Sequence, residues 1–173
     1  IADKFNSQVE CDLLFVGKHI IFHMLDRCLR WHAAREVPNK EEDTLIQALE
    51  ELWFSIHGPP KELIMDGESG IMGSKKAQEY LHRKGVKPHP RGKDQHARYI
   101  ERRGELTRQV IHKIWSQLKQ EGLEGQVKFA TVLAETVFCG NALLTVNGST
   151  PYNGLYGRVP SILPGITQIE EPS

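Results

Sequence analysis

Apolar and polar residues alternate from Val9 to Val16, placing Val9, Cys11, Leu13 and Phe15 on one face and Glu10, Asp12, Leu14 and Val16 on the other. A period of two predicts a β-strand. Gly17-Lys18 offers a tight turn into a second predicted strand, His19 to Leu25. A third follows near Trp31 to Val37, closed by Pro38-Asn39. Connections this short favour an antiparallel meander. The period then lengthens: Leu45, Ile46, Leu49, Leu52, Trp53 and Ile56 recur at helical spacing. Glu41, Glu42 and Asp43 stand where acids suit the positive end of a helix dipole, and Gly58-Pro59-Pro60 stops the run.

Glu62 to Met65 forms a short apolar strand ending on Asp66, and the helix-length connection before it lets it lie parallel to a neighbour. A helix is predicted from about Ser74 to Lys84, with Gly85 placed as its C-cap. A fifth strand covers Val86 to Pro90. A long helix then runs from about Gln95 to Lys119, and another from about Gln126 to Asn141, ahead of a Gly/Pro-rich tail. This order predicts an α/β fold with a five-stranded mixed sheet flanked by helices on both faces. In the long helix, Ile100, Leu106, Val110, Ile114 and Leu118 are expected on the apolar face, with Arg98, Glu101, Glu105 and Arg108 opposite.

Hydrophobic residues at 39% and charged residues at 25% are near the globular average, so disorder is not expected. With 22 basic and 22 acidic residues, the chain is no uniformly basic nucleic-acid coat, although a local patch remains compatible with DNA. Cys11, Cys28 and Cys139 are widely spaced and odd in number. They suggest neither a disulfide framework nor a zinc knuckle, and fit a reducing compartment. No apolar run approaches the roughly 20 residues that span a bilayer, so an intracellular chain without a membrane segment is expected.

Three carboxylates stand out. Asp12 lies mid-strand, Asp66 closes the fourth strand, and Glu101 falls in the first turns of the long helix. Open α/β sheets place their sites at such strand ends. Converging acids repel unless cations neutralise them, which makes hard divalent metals their natural partners. Two such ions can clamp the attacking and leaving oxygens of a phosphoryl displacement. Any one of these acids alone reads as a solvated loop or helix carboxylate.

The segment around Asp12, the Met65-Asp66-Gly67 strand end and the run His96-Ala97-Arg98-Tyr99-Ile100-Glu101-Arg102-Arg103 resemble the D,D,E signature of retrotransposon and retroviral integrases. The 53 residues between the aspartates and the 34 between Asp66 and Glu101 match the family's gaps. Asn141, Thr150-Pro151-Tyr152 and Leu155-Tyr156-Gly157-Arg158-Val159-Pro160 are similar to the stretch that follows the core in gypsy-type polyproteins. The resemblance spans roughly residues 8 to 165. It implies an RNase H-like catalytic core over residues 1–165, with 166–173 a tail or linker.

It further implies that Asp12, Asp66 and Glu101 bind two Mg²⁺ (or Mn²⁺) ions, for 3′-end processing and strand transfer of element DNA. The implied partner is double-stranded DNA, the implied assembly a homodimer or higher oligomer, and the implied setting nuclear or cytoplasmic. Residues 83–108 hold nine Lys/Arg against three acids, a basic strip in which Lys93, His96, Arg98 and Arg102 are the expected DNA contacts. A cut-and-paste DDE transposase core, a domesticated non-catalytic DNA or protein interaction module, and a cellular ribonuclease H are the rival readings.

The chain departs from the family at Asp66-Gly67-Glu68, where Asn usually follows the aspartate. Glu68 reads as a solvated loop acid and Gly92 as a hinge before the catalytic helix. Glu105 is a rival third ligand that is expected to pair instead with Arg108 or Arg102. His19 and His23, about 13 Å apart along one strand face, read as structural. Asp26 and Arg27 are expected to pair with each other, and Trp53 and Trp115 to be core or dimer-interface residues. Neither a zinc-binding His/Cys domain nor a basic SH3-like domain lies in these residues, so either a fragment or a lone core is expected.

Overall fold

A computed structural model describes residues 4–66, 74–91 and 98–161. The alternating segments become β1 (Gln8–Val16), β2 (His19–Asp26) and β3 (His32–Val37), an antiparallel meander in which Asp12 pairs with His23 and Leu25 with His32. Strand β4 (Glu62–Asp66) runs parallel to β1, and β5 (Lys87–Arg91) parallel to β4. The mixed sheet therefore has the order β3-β2-β1-β4-β5. β1 stands in its middle, between β2 and β4, and these three internal strands carry most of the buried residues of the sheet.

The first predicted helix is continuous but not uniform. α1 (Glu42–Leu49) widens into a π-helical segment (Glu50–Phe54) and resumes as α2 (Ser55–His57), ending at Gly58 with φ 82°. α3 (Lys75–Arg83) starts at Ser74, whose hydroxyl accepts the Ala77 N–H at 3.2 Å. α4 (Arg98–Gln120) and α5 (Phe129–Leu143) follow. α6 (Pro151–Tyr156) was not anticipated. Six residues are too few for a helical period to show. The signals were local: Thr150 accepts the Asn153 N–H at 3.1 Å, and Pro151 occupies the first turn, where its missing N–H is harmless.

Each face of the sheet carries its own core. Val9, Cys11, Phe22, Met24, Leu63 and Met65 pack with Leu45, Leu49 and Trp53 of the first helix and with Leu81 of α3. On the opposite face, Leu14, Val16 and Ile21 meet Ile111 of α4 and Val132 and Leu133 of α5. Strand alternation thus assigns Asp12 to the α4 side, between Glu10 and Leu14. Among the described residues no helix is long and apolar enough to cross a membrane.

Two expectations are corrected. On α4, Ile100 is buried and Ile114 and Leu118 pack against the core as expected, but Leu106 is 37% exposed and Arg103 and Thr107 are buried instead. Gly104 lets this part of the helix approach the sheet closely, a contact that hydrophobicity alone does not show. Asp26 and Arg27 do not pair. Asp26 accepts the backbone N–H groups of Asn6 (2.9 Å) and Leu29 (2.6 Å), organising the β2–β3 turn, while Arg27 reaches Glu10 at 3.5 Å. Burial raises the Asp26 pKa, opposed by those backbone hydrogen bonds. The expected tail, 166–173, lies outside the described residues, as do Glu68 and Gly92.

Candidate active site

The parallel pairing of the central strands matches Gln8 with Glu62, Val9 with Leu63 and Glu10 with Ile64. Carried two residues further, that register sets the backbone of Asp12 level with that of Asp66. Asp12 is half-buried, and its Oδ1 accepts the Leu13 N–H at 2.8 Å. Asp66 closes β4 with its backbone paired to Arg91, and its side chain lies outside the description. The two aspartates therefore belong to neighbouring strands at one level of the sheet, although 53 residues separate them.

Glu101 is exposed in the first turn of α4, the helix that packs across β1 and β2. Its height over the sheet is set one turn later. A β-carbon built at Gly104 would lie 3.1 Å from His23 Cε1 and 3.5 Å from Leu14 Cδ1. His23 is the cross-strand partner of Asp12, so the helix carrying Glu101 rests on the residue beside Asp12. Glu105, the rival ligand, is bound by Arg108 at 2.5 Å, and Arg108 also donates to the Phe15 carbonyl. Among the described residues no group of three His, Cys, Asp or Glu side chains stands within metal-holding reach, and the side chain of Asp66 is not among them.

The floor under α4 is polar, which sequence reasoning did not anticipate. His23 Nδ1 and His32 Nε2 are 3.0 Å apart, with both rings buried. Asn141 of α5 clamps the backbone of His32, accepting its N–H at 2.9 Å and donating to its carbonyl at 2.8 Å. This satisfies the outer edge of β3, an edge strand whose main chain needs partners. Arg103 Nη2 donates to the same Asn141 oxygen at 3.3 Å. Burial pushes the His32 pKa well below its ordinary value, and the charges of His23 and Arg103 add to that. His32 is thus held neutral. Burial also pulls the Arg103 guanidinium down to about 10. The one sequence clue to this network was Asn141, noted only for its place ahead of the Thr-Pro-Tyr stretch.

Of the expected DNA contacts, Arg102 is exposed on α4 and Arg98 begins that helix, its side chain outside the description. Lys93 and His96 fall outside the described residues. The Thr-Pro-Tyr stretch docks on the β2–β3 turn. Trp31 meets Tyr152 and Tyr156 at ring separations of 6.1 and 5.6 Å, and the Arg158 guanidinium lies over both tyrosines. His19 stacks on Phe129 with centroids 3.7 Å apart, Trp53 is fully buried, and Trp115 is half-buried against the α5 side of the core.

No family model and no curated protein sequence matches the chain. Solved structures do. The dimeric form of the HTLV-2 integrase catalytic core domain, in complex with magnesium, aligns with a TM-score of 0.69 at 14% identity, over 85% of this chain and 93% of that one. Its trimeric form aligns with a TM-score of 0.66 at 14% identity, over 86% and 95%. The simian T-cell lymphotropic virus intasome, in complex with PP2A regulatory subunit B56 gamma, gives a TM-score of 0.75 at 15% identity, covering 92% of this chain and 56% of the matched one. The fold of the chain, a five-stranded mixed sheet between helical layers, is that of a retroviral integrase catalytic core.

Proposed function

We propose that the chain is the catalytic core of a retroelement integrase, which processes the 3′ ends of element DNA and joins them to target DNA. The observation that supports this reading is the register of β1 and β4, which sets the backbone of Asp12 level with that of Asp66, on a sheet whose β1 is covered by the helix that bears Glu101. Three carboxylates are a hard, all-oxygen donor set, the kind that Mg²⁺ or Mn²⁺ prefers, and the HTLV-2 core was solved with magnesium. Two such ions supply an activated nucleophile and charge neutralisation at the leaving oxygen. The protein's part is positional: two rigid strands fix the aspartates, and α4, seated on His23 through Gly104, fixes the glutamate.

Arg102 and the basic strip around it would hold DNA phosphates, an attraction that weakens with salt. Because the HTLV-2 core occurs in dimeric and trimeric forms, we extend the proposal to self-association of this chain. DNA integration in turn places the protein's work at nuclear DNA, after assembly in the cytoplasm. The test is strand transfer on a branched DNA substrate with Mg²⁺ or Mn²⁺, comparing the chain with Asp66→Asn. Metal-dependent joining that the substitution abolishes supports the reading. Folded proteins that are both inactive and bind no Mn²⁺ point instead to an interaction module.

A further inference from the structure

Arg103 is only 8% exposed, and its one side-chain hydrogen bond among the described residues is the 3.3 Å contact with Asn141. A guanidinium carries five donors, so a nearly buried one with a single long bond is left with donors to spare. Those donors border a cavity of about 390 Å³ between the β2–β3 turn, the start of α4 and the residues following α5. Arg30 and Arg102 also line it, over a floor that includes Leu25 and Leu106. No acid is among its described lining residues; no described carboxylate lies within ion-pair distance of the three arginines, and Arg30 alone feels one, the turn carboxylate Asp26, through its charge. Arg27, from the same turn, differs in having Glu10 beside it at 3.5 Å.

The arginines are also pre-arranged. Arg30 lies over the Tyr99 ring at 3.4 Å from its centroid, and its Nη1 donates to the Arg27 carbonyl; together these fix the guanidinium plane and leave its remaining N–H groups to donate. Gly140 makes room for Arg103: a β-carbon there would come within 2.9 Å of Nη2. Three cations around one cavity, with no acid among its described lining residues, call for a polyanion, and a phosphomonoester, near two negative charges at neutral pH, suits them better than a carboxylate. The geometry points to a binding site for a phosphomonoester, formed by Arg30, Arg102 and Arg103 and separate from Asp12, Asp66 and Glu101. The phosphate could be carried by a free nucleotide or by a 5′-phosphorylated DNA end.

Calorimetric titration at low salt tests this, with adenosine 5′-monophosphate against adenosine, and a short 5′-phosphorylated oligonucleotide against its 5′-hydroxyl twin. Saturable binding that requires the phosphate, weakened about tenfold in Arg30→Gln and again in Arg102→Gln, supports the site. Both substitutions lie outside the buried core, and thermal melts verify that the variants fold. A response to the nucleotide identifies a free ligand; a response only to the phosphorylated oligonucleotide identifies a strand end. Absence of phosphate-dependent binding in both arms overturns the inference, as does binding that both substitutions leave unchanged.

Discussion

Gly104 lies against the imidazole of His23, so closely that a β-carbon at that position would come within 3.1 Å of Cε1. His23 is in turn the cross-strand neighbour of Asp12, and Glu101 sits one turn before Gly104. This contact sets the spacing between the helix and the strand that carry the proposed ligands.

Gly104→Ala is expected to leave stability nearly unchanged, because about 1 kcal/mol of helix propensity offsets a similar overpacking cost. Strand transfer is expected to fall at least roughly tenfold, since small displacements of a catalytic group are expensive. Thermal melts and joining assays on one preparation separate the two effects. A fully active variant would show that the contact does not position Glu101.

Glu101→Gln is expected to abolish joining and weaken Mn²⁺ binding, while Glu105→Gln leaves both intact. Glu105 is bound to Arg108 on the surface, a pair worth no more than about 1 kcal/mol. Equal losses in the two variants would reassign the third ligand.

Asn141→Ala removes both hydrogen bonds to the His32 backbone and the acceptor for Arg103, leaving buried polar groups without partners. A loss of about 2–4 kcal/mol is expected by urea denaturation, since each stranded group costs about 1–3 kcal/mol. A loss below about 1 kcal/mol would mean that water replaces the amide.

His32 stays neutral in the folded chain because burial pushes its pKa well below the ordinary 6.5. As pH falls below that value, the unfolded state takes up a proton that the native state refuses, so stability drops by about 1 kcal/mol per pH unit. The loss grows as pH falls from the unfolded value to the folded one and is complete below the latter. Melting temperatures between pH 7.5 and 5 should decline, and less steeply in His32→Gln. Identical slopes would locate the proton uptake elsewhere.

What the sequence determined by itself was local or periodic. Alternation in β1, helical spacing from Leu45 to Ile56 and the break at Gly58 placed the elements within a few residues. Those patterns record which side of each segment meets water. The three acids were legible because their types and gaps resemble a family's signature. The level at which the two aspartate backbones stand was not, since it depends on the β1–β4 register, a pairing between segments 54 residues apart. Only tertiary structure decided that Arg103 turns inward while Leu106 stays exposed, because the choice rests on Gly104 admitting close approach to His23 and on Gly140 clearing space for a guanidinium. Hydropathy ranks an arginine as a surface residue. Steric room and a waiting Asn141 acceptor are properties of the assembled packing, and no single segment carries them.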